Sequence, residues 1–321
     1  MSGFRHEALP YRGTAGFAHA VTPLVLDALE RGESVLIAVP RGNVEALWES
    51  LPDGELDDDR LTFLDMAAAS RNPARSVSIW HQFARQAGPS ERRLGIAELL
   101  WAGRTTEEII ECQHAEAVLN LAMAGSPLSL NCVYDTEALE ATDVRDAAHH
   151  HPGITSMFGE VRFPEADLAE PPASPSVDYQ FGGGDLQGIR DHVSSEAMGC
   201  LTDQLQINDL VLAVNEVATN SIRHGGGQGR LRAWRTSQSL ICEISDSGFL
   251  DQPLAGMCRP ATTGDGGAGM WLVHQICDLV QVRSAEHVGT VVRLTMHSDH
   301  QPEVPQMGVH LGSVMSGGSH D

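Results

Sequence analysis

The stretch AVNEVATNSIRHGG, Ala213 to Gly226, sets a glutamate, an asparagine and a histidine four residues apart and then runs into glycines. A helix turns every 3.6 residues, so Glu216, Asn220 and His224 share one stripe. Val214, Val217, Ala218, Ser221 and Ile222 fall on the opposite side, where packing against a core is expected. The polar stripe needs an explanation outside packing.

Downstream, GRLRAWRTSQSLICEISDSGF reads as two β-runs joined by a polar turn around Ser237, and the second run ends at Asp246-Ser247-Gly248. A loop rich in glycine and threonine, including Gly264, Gly266, Gly267 and Gly269, then leads into the apolar helix WLVHQICDLV, and VQVRS and GTVVRLTM supply two further strands. Glycines let backbone amides approach an anion at a helix N-terminus, where the helix dipole also favours negative charge. In a triphosphate site the side-chain carbonyl of Asn220 is a hard oxygen ligand for Mg²⁺. Glu216, one turn earlier, is placed to orient or deprotonate an attacking water or hydroxyl. Asp246 can accept a hydrogen bond from an exocyclic amine such as that of adenine. Singly, each element has an ordinary reading as a solvated helix face, a glycine loop or a turn. Order and spacing carry the argument.

That order resembles the GHKL ATPase superfamily, the Bergerat α/β sandwich of histidine-kinase catalytic domains, gyrase and the anti-sigma serine kinases, over roughly Val177 to His297. NEVATNSIRHG looks like its N box, which implies Glu216 as general base, Asn220 as magnesium ligand and His224 as a further nucleotide-side residue. DSG looks like the G1 box, placing Asp246 on adenine with Gly248 beside it. GAGM looks like the G2 box, placing Gly267, Gly269 and Met270 near the phosphates, and Gly289-Thr290 looks like the last adenine-side element. Phe249 and Leu250 replace the further glycine that often follows G1, and the lid is short, as in the anti-sigma serine kinases. The resemblance implies ATP and Mg²⁺ as cofactors. It implies as partners a sigma factor or a STAS-type antagonist phosphorylated on serine or threonine, in transcription regulation and stress response, with homodimers common. The alternative is an anti-sigma binding protein with a degenerate ATP site. A histidine autokinase would need a dimerising helical hairpin upstream, and no long heptad pattern precedes this unit.

Bulk properties narrow the field. Arginine accounts for the whole Lys+Arg total of 21, so the chain has no lysine and neither Schiff-base chemistry nor a lysine-bearing phosphate loop is available. The formal net charge of -22 argues against direct nucleic-acid binding. Six cysteines without a CxxC pair read as buried thiols of a reducing compartment, and neither a signal peptide nor a membrane-spanning apolar run is present, so a cytoplasmic protein is expected.

In the first half, ESVLIAVP, RLTFLDM, RRLGIAEL and LSLNCVYD alternate with helical runs, a βαβ pattern that predicts a largely parallel sheet. HEALPY, LIAVPRGN, FLDMAAASRNPAR, the run from Ala97 to Ala122, NCVYD and HHHPGI resemble the MEDS sensory domain from about His6 to Ile154, which implies a RecA-like α/β layout and a small-molecule signal. His6, Asp65, Asn72, Arg75, Glu98, Arg104, His114 and His151 are the polar residues inside those motifs. A ligand pocket belongs at the carboxyl ends of the strands. The structural reading instead has Asn72 capping a helix and Glu98 paired with Arg104. Consecutive residues His149 to His151 point in different directions, so a structural role is expected before a metal site. The expected organisation is a sensory domain over 1–162, a proline-rich linker over 163–175, a GHKL domain over 176–298 and a disordered tail over 299–321.

Overall fold

The computed structural model describes residues 3–52, 56, 58–88, 91–148, 151, 162–164, 168–171, 173–260 and 268–298. The chain divides into two compact units, drawn mainly from residues 1–159 and 160–302, with the segment 72–78 grouped with the second.

The first unit holds a five-stranded parallel sheet. Its strands are β1 (Arg5–Tyr11), β2 (Ser34–Val39), β3 (Leu61–Asp65), β4 (Arg93–Ala97) and β5 (Leu128–Asp135), in the order β1-β5-β4-β2-β3. They alternate with α1 (Gly13–Glu30), α2 (Arg41–Ser50), α3 (Met66–Ala69), α4 (Ala74–Arg85) and α5 (Thr106–Ala122), and α6 (Ala141–Ala148) follows β5. Inner strands β2 and β4 are buried along almost their whole length, as strands covered on both faces must be. From α1, Phe17, Val21, Val25, Ala28 and Leu29 recur at helical spacing and join Val35, Ile37 and Ile96 in one core. Helix α5 opens on a capping box: Glu108 N donates to Thr105 Oγ1 at 3.2 Å and Thr105 N to Glu108 Oε2 at 2.7 Å. The expected alternation omits β1, which enters at the sheet edge with Arg5 opposite Ser129. Its Pro10 is tolerated there because an edge strand leaves ladder positions unused.

The second unit is antiparallel. Strands β6 (Val177–Gly182), β7 (Gln228–Arg235), β8 (Ser239–Asp246), β9 (Leu279–Ala285) and β10 (Gly289–His297) run in the order β6-β7-β8-β10-β9. Helices α7 (Leu186–Met198), α8 (Gln204–His224) and α9 (Ala268–Ile276) share its core. Alternate residues point to one face of a strand, so Leu231 and Ala233, Cys242 and Ile244, and Val292 and Leu294 all join that core. Asp203 caps α8 by accepting from Leu205 N at 2.9 Å, and Leu210, Ala213, Val214, Val217 and Ala218 form its buried side.

The same alternation sends Arg232, Glu243 and Arg293 to the other face, in register across β7, β8 and β10. Glu243 Oε1 accepts from Arg232 Nε at 3.1 Å, and Glu243 Oε2 accepts from Arg293 Nη2 at 2.6 Å. The expected linker ends on this row: Arg293 Nη1 donates to Ala169 O at 2.7 Å, Arg232 pairs with Glu170 at 2.6 Å, and Phe163 joins the core. Phe163, Ala169 and Glu170 are therefore fastened to the second unit, the last two through the arginines of this sheet face. The expected tail lies outside the described residues. Among the described residues all six cysteines are free, four of them buried, and no helix is long and apolar enough to cross a membrane.

Removing Glu243 strands two arginines. Glu243→Ala is expected to cost about 3 kcal/mol in chemical denaturation, the low end for stripping one partner from a buried ion pair. Arg232 keeps 25% of its side chain in water, which limits the loss.

Candidate functional site

Residue by residue, α8 presents Glu216 and Asn220 half-buried and His224 exposed at its last position. Ser221, expected only to pack, is buried and donates to Asp246 Oδ2 at 2.6 Å. Gly248 N donates to the other oxygen, Oδ1, at 2.8 Å. A Cβ on Gly225 would strike the Asp246 carboxylate, so only glycine lets α8 end against this strand tip. Thr290 lies opposite Asp246 in the ladder, and its Oγ1 donates to Gly248 O at 2.9 Å. Ser284 Oγ meets Thr290 Oγ1 at 2.8 Å and accepts from Leu250 N at 2.8 Å, which ties the residues after DSG to β9. Each carboxylate oxygen has two lone pairs, so Asp246 retains acceptor capacity beyond these two donors.

At the other end of the stripe, Gly269 stands in the first turn of α9. A Cβ there would run into the Glu216 carboxylate. Glu216 is thus set against a helix N-terminus, the place where backbone amides and the helix dipole favour an anion. Met270 follows, half-buried against the core, with its backbone next to Gly256. Gly264, Gly266 and Gly267 lie outside the described residues. The structure therefore groups Glu216 with Gly269, and Asp246 with Gly248 and Thr290, at two ends of one helix stripe that carries Asn220 between them. Sequence reasoning missed Ser221 and Ser284. For Ser221 the available signal was a lone hydroxyl on an apolar helix face.

In the first unit, the chain leaves β2 toward β3 on one side and β4 toward β5 on the other, so the carboxyl ends of β2 and β4 flank the switch point of the sheet. Three buried side chains meet there. Tyr11 Oη donates to Glu98 Oε1 at 2.7 Å, and Asn43 Nδ2 donates to Glu98 Oε2 at 2.6 Å. Burial pushes the Glu98 carboxyl up to about 7, against the opposing pull of those two donors. The expected pairing of Glu98 with Arg104 does not form. Arg104 turns instead to backbone carbonyls, donating to Leu99 O at 2.8 Å and Ser70 O at 3.1 Å, and lies over the Trp101 ring. Asp65 caps α3 by accepting from Ala67 N at 3.0 Å, and Asn72, in the segment grouped with the second unit, accepts from Ala74 N at 3.4 Å at the start of α4. Arg75 and His114 are buried. His6 and His151 are brought together with ring centroids 4.1 Å apart, while His149 and His150 lie outside the described residues.

The antiparallel sheet, its helix stripe and the fixed strand-end carboxylate fit a nucleotide-binding unit, and residues 184–296 match the histidine kinase-like ATPase domain. Residues 5–152 match the MEDS domain, the methanogen/methylotroph, DcmR sensory domain. No curated protein matches the chain. The chain is a MEDS domain followed by a histidine kinase-like ATPase domain, the architecture of a sensor-kinase-like signalling protein.

Two measurements check this description. Ser221→Ala removes a buried donor to a carboxylate and is expected to cost about 2 kcal/mol in urea unfolding. For Glu98 the folded carboxyl holds its proton up to about 7, whereas the unfolded group releases it near 4.5. Between those values the folded chain binds more protons, so this group's contribution to stability falls as pH rises, by at most about 1.4 kcal/mol per pH unit. The stability of the parent relative to Glu98→Gln should fall across that window and stay flat above it.

Proposed function

We propose that the ATPase domain binds Mg-ATP and phosphorylates a serine or threonine of a STAS-type antagonist, that it also engages a sigma factor, and that a small-molecule signal at the MEDS domain sets this activity. The observation that carries the reading is the meeting of the Glu216 carboxylate with the first turn of α9 at Gly269. A base and an anion-binding helix end then face the same space.

The residues present fit the group. Gly269 and Gly225 keep the space beside Glu216 and Asp246 clear of Cβ atoms, and both ends offer oxygen or amide chemistry suited to a nucleotide. Bound Mg-ATP supplies the γ-phosphoryl group and the cation that neutralises its charge. In this reading the Asn220 carbonyl holds Mg²⁺, Gly269 and Met270 face phosphate through the helix end, and Asp246 accepts from the exocyclic amine. Thr290, by holding Gly248 O, keeps that strand tip in place. Glu216 takes the proton of the acceptor hydroxyl as it attacks. His224 lies on the exposed rim of the same stripe. With no lysine in the chain, phosphate charge is met by amides and metal without a lysine ammonium. A separate acceptor protein is favoured because the segment before the ATPase unit is proline-rich and carries no long heptad pattern of the kind a dimerising acceptor hairpin needs.

The test is phosphate transfer from labelled ATP to a STAS-domain antagonist, paired with calorimetric titration of ATP with and without Mg²⁺. Glu216→Ala should lower transfer by about 10²- to 10⁴-fold while leaving ATP affinity within a few-fold. Asn220→Ala should remove the magnesium dependence of binding. Equal transfer by Glu216→Ala would strike Glu216 from the role of base, and tight binding without transfer to any antagonist would leave a sequestering protein in place of a kinase.

A further inference from the structure

The first unit contains a cluster that neither the ATPase site nor the switch-point carboxyl uses. His6 on β1, Cys132 on β5 and His151 beyond α6 each offer one ligand atom, all within 4.8 Å of one another, and all three residues are buried. The placement follows from register. In the parallel β1/β5 pair His6 lies opposite Leu130 and Ala8 opposite Cys132, so His6 and Cys132 point from the same face one pleat apart. Their side chains meet at 3.1 Å, His6 Nε2 to Cys132 Sγ.

Neighbouring groups orient both rings. Asn120 Nδ2 faces the Glu116 and Ala117 carbonyls at 3.5 Å, which turns its Oδ1 toward His6 Nδ1 at 3.1 Å. That acceptor requires the His6 proton on Nδ1 and leaves the Nε2 lone pair toward Cys132. His151 Nδ1 faces Ala147 O at 3.2 Å, and a carbonyl can only accept, so its lone pair is on Nε2. Two imidazoles oriented through their second nitrogens and one thiol form the usual donor set of a soft or borderline transition metal, with the second shell in place.

We propose that His6, Cys132 and His151 form a binding site for a zinc-class divalent metal, with Asn120 as the residue that positions His6. Bonds of about 2.0 Å to nitrogen and 2.3 Å to sulfur place tetrahedral ligand atoms about 3.5 Å apart, so closure needs about an ångström of side-chain movement. Three protein ligands leave a fourth position for water or a small donor. The metal joins the edge strand β1 to β5 and to the segment after α6, which makes its occupancy a property of the MEDS unit's folded state.

The full chain, stripped of metal with a chelator, is titrated with Co²⁺ and then with Zn²⁺. One equivalent of Co²⁺ should give a thiolate-to-cobalt charge-transfer band that Zn²⁺ abolishes, and Zn²⁺ should raise the thermal midpoint. Cys132→Ser should lose the band, His6→Gln and His151→Gln should weaken binding at least tenfold, and Cys258→Ser should change nothing. Asn120→Ala should weaken binding roughly 10- to 100-fold, with recovery in Asn120→Asp, which keeps the acceptor. Circular dichroism establishes that each variant is folded, and if Cys132→Ser is not, His151→Gln decides. No charge-transfer band in the folded parent, or an undiminished band in folded Cys132→Ser or His151→Gln, would overturn the proposal.

Discussion

The constraint on which the ATPase unit's geometry depends is the fixation of one carboxylate, Asp246, at the end of β8. Ser221 and the amide of Gly248 hold its two oxygens, Gly225 packs on it without a side chain, and Thr290 braces the Gly248 carbonyl from the neighbouring strand. The bond from Ser221 also sets the rotation of α8 about its own axis. Adjacent residues on a helix differ by about 100°, so fixing Ser221 toward the strand tip fixes where Asn220 and Glu216 aim. A residue that looks like core filling thereby orients the polar stripe.

The sheet beneath this site has two faces with opposite chemistry, produced by one period-two alternation. The helix face is apolar up to the strand ends that carry Asp246, Ser284 and Thr290, whereas the other face carries the Arg232, Glu243, Arg293 row with Trp234 beside it. An ion row of this kind contributes less to net stability than an apolar row of equal volume, but it is intolerant of losing one member. It also gives the preceding acidic segment something to bind. Glu170 and the Ala169 carbonyl take the outward-facing donors, and the chain enters β6 from a defined position.

The fold was legible in the sequence wherever burial imposes a period. Strands β2, β4, β7, β8 and β10, and the helix from Gln204 to His224, show it plainly. In the candidate site, Glu216, Asn220, Asp246 and Gly269 stood out because their residue types are unusual for their positions. Ser221 was not, since a small hydroxyl on an apolar helix face has the same pattern as alanine. Glu98 was visible but its partners were not: Tyr11 and Asn43 reach it from 87 and 55 residues away, a proximity that only the strand order creates. Arg104, six residues from Glu98, was the nearer guess, and its burial among carbonyls explains the error. β1 escaped because a short edge strand containing proline has no strong period of its own.

Strand β1 has β5 as its sheet neighbour, and the contact between His6 and Cys132 spans 126 residues. During synthesis β1 therefore leaves the ribosome long before the strand it must pair with exists, and it waits as an unpaired segment while the other strands are made. The last strand of the sheet to be translated closes the first. A nascent chain stopped before Leu128 lacks one inner strand and strands one edge, so this unit can complete its fold only once β5 has emerged.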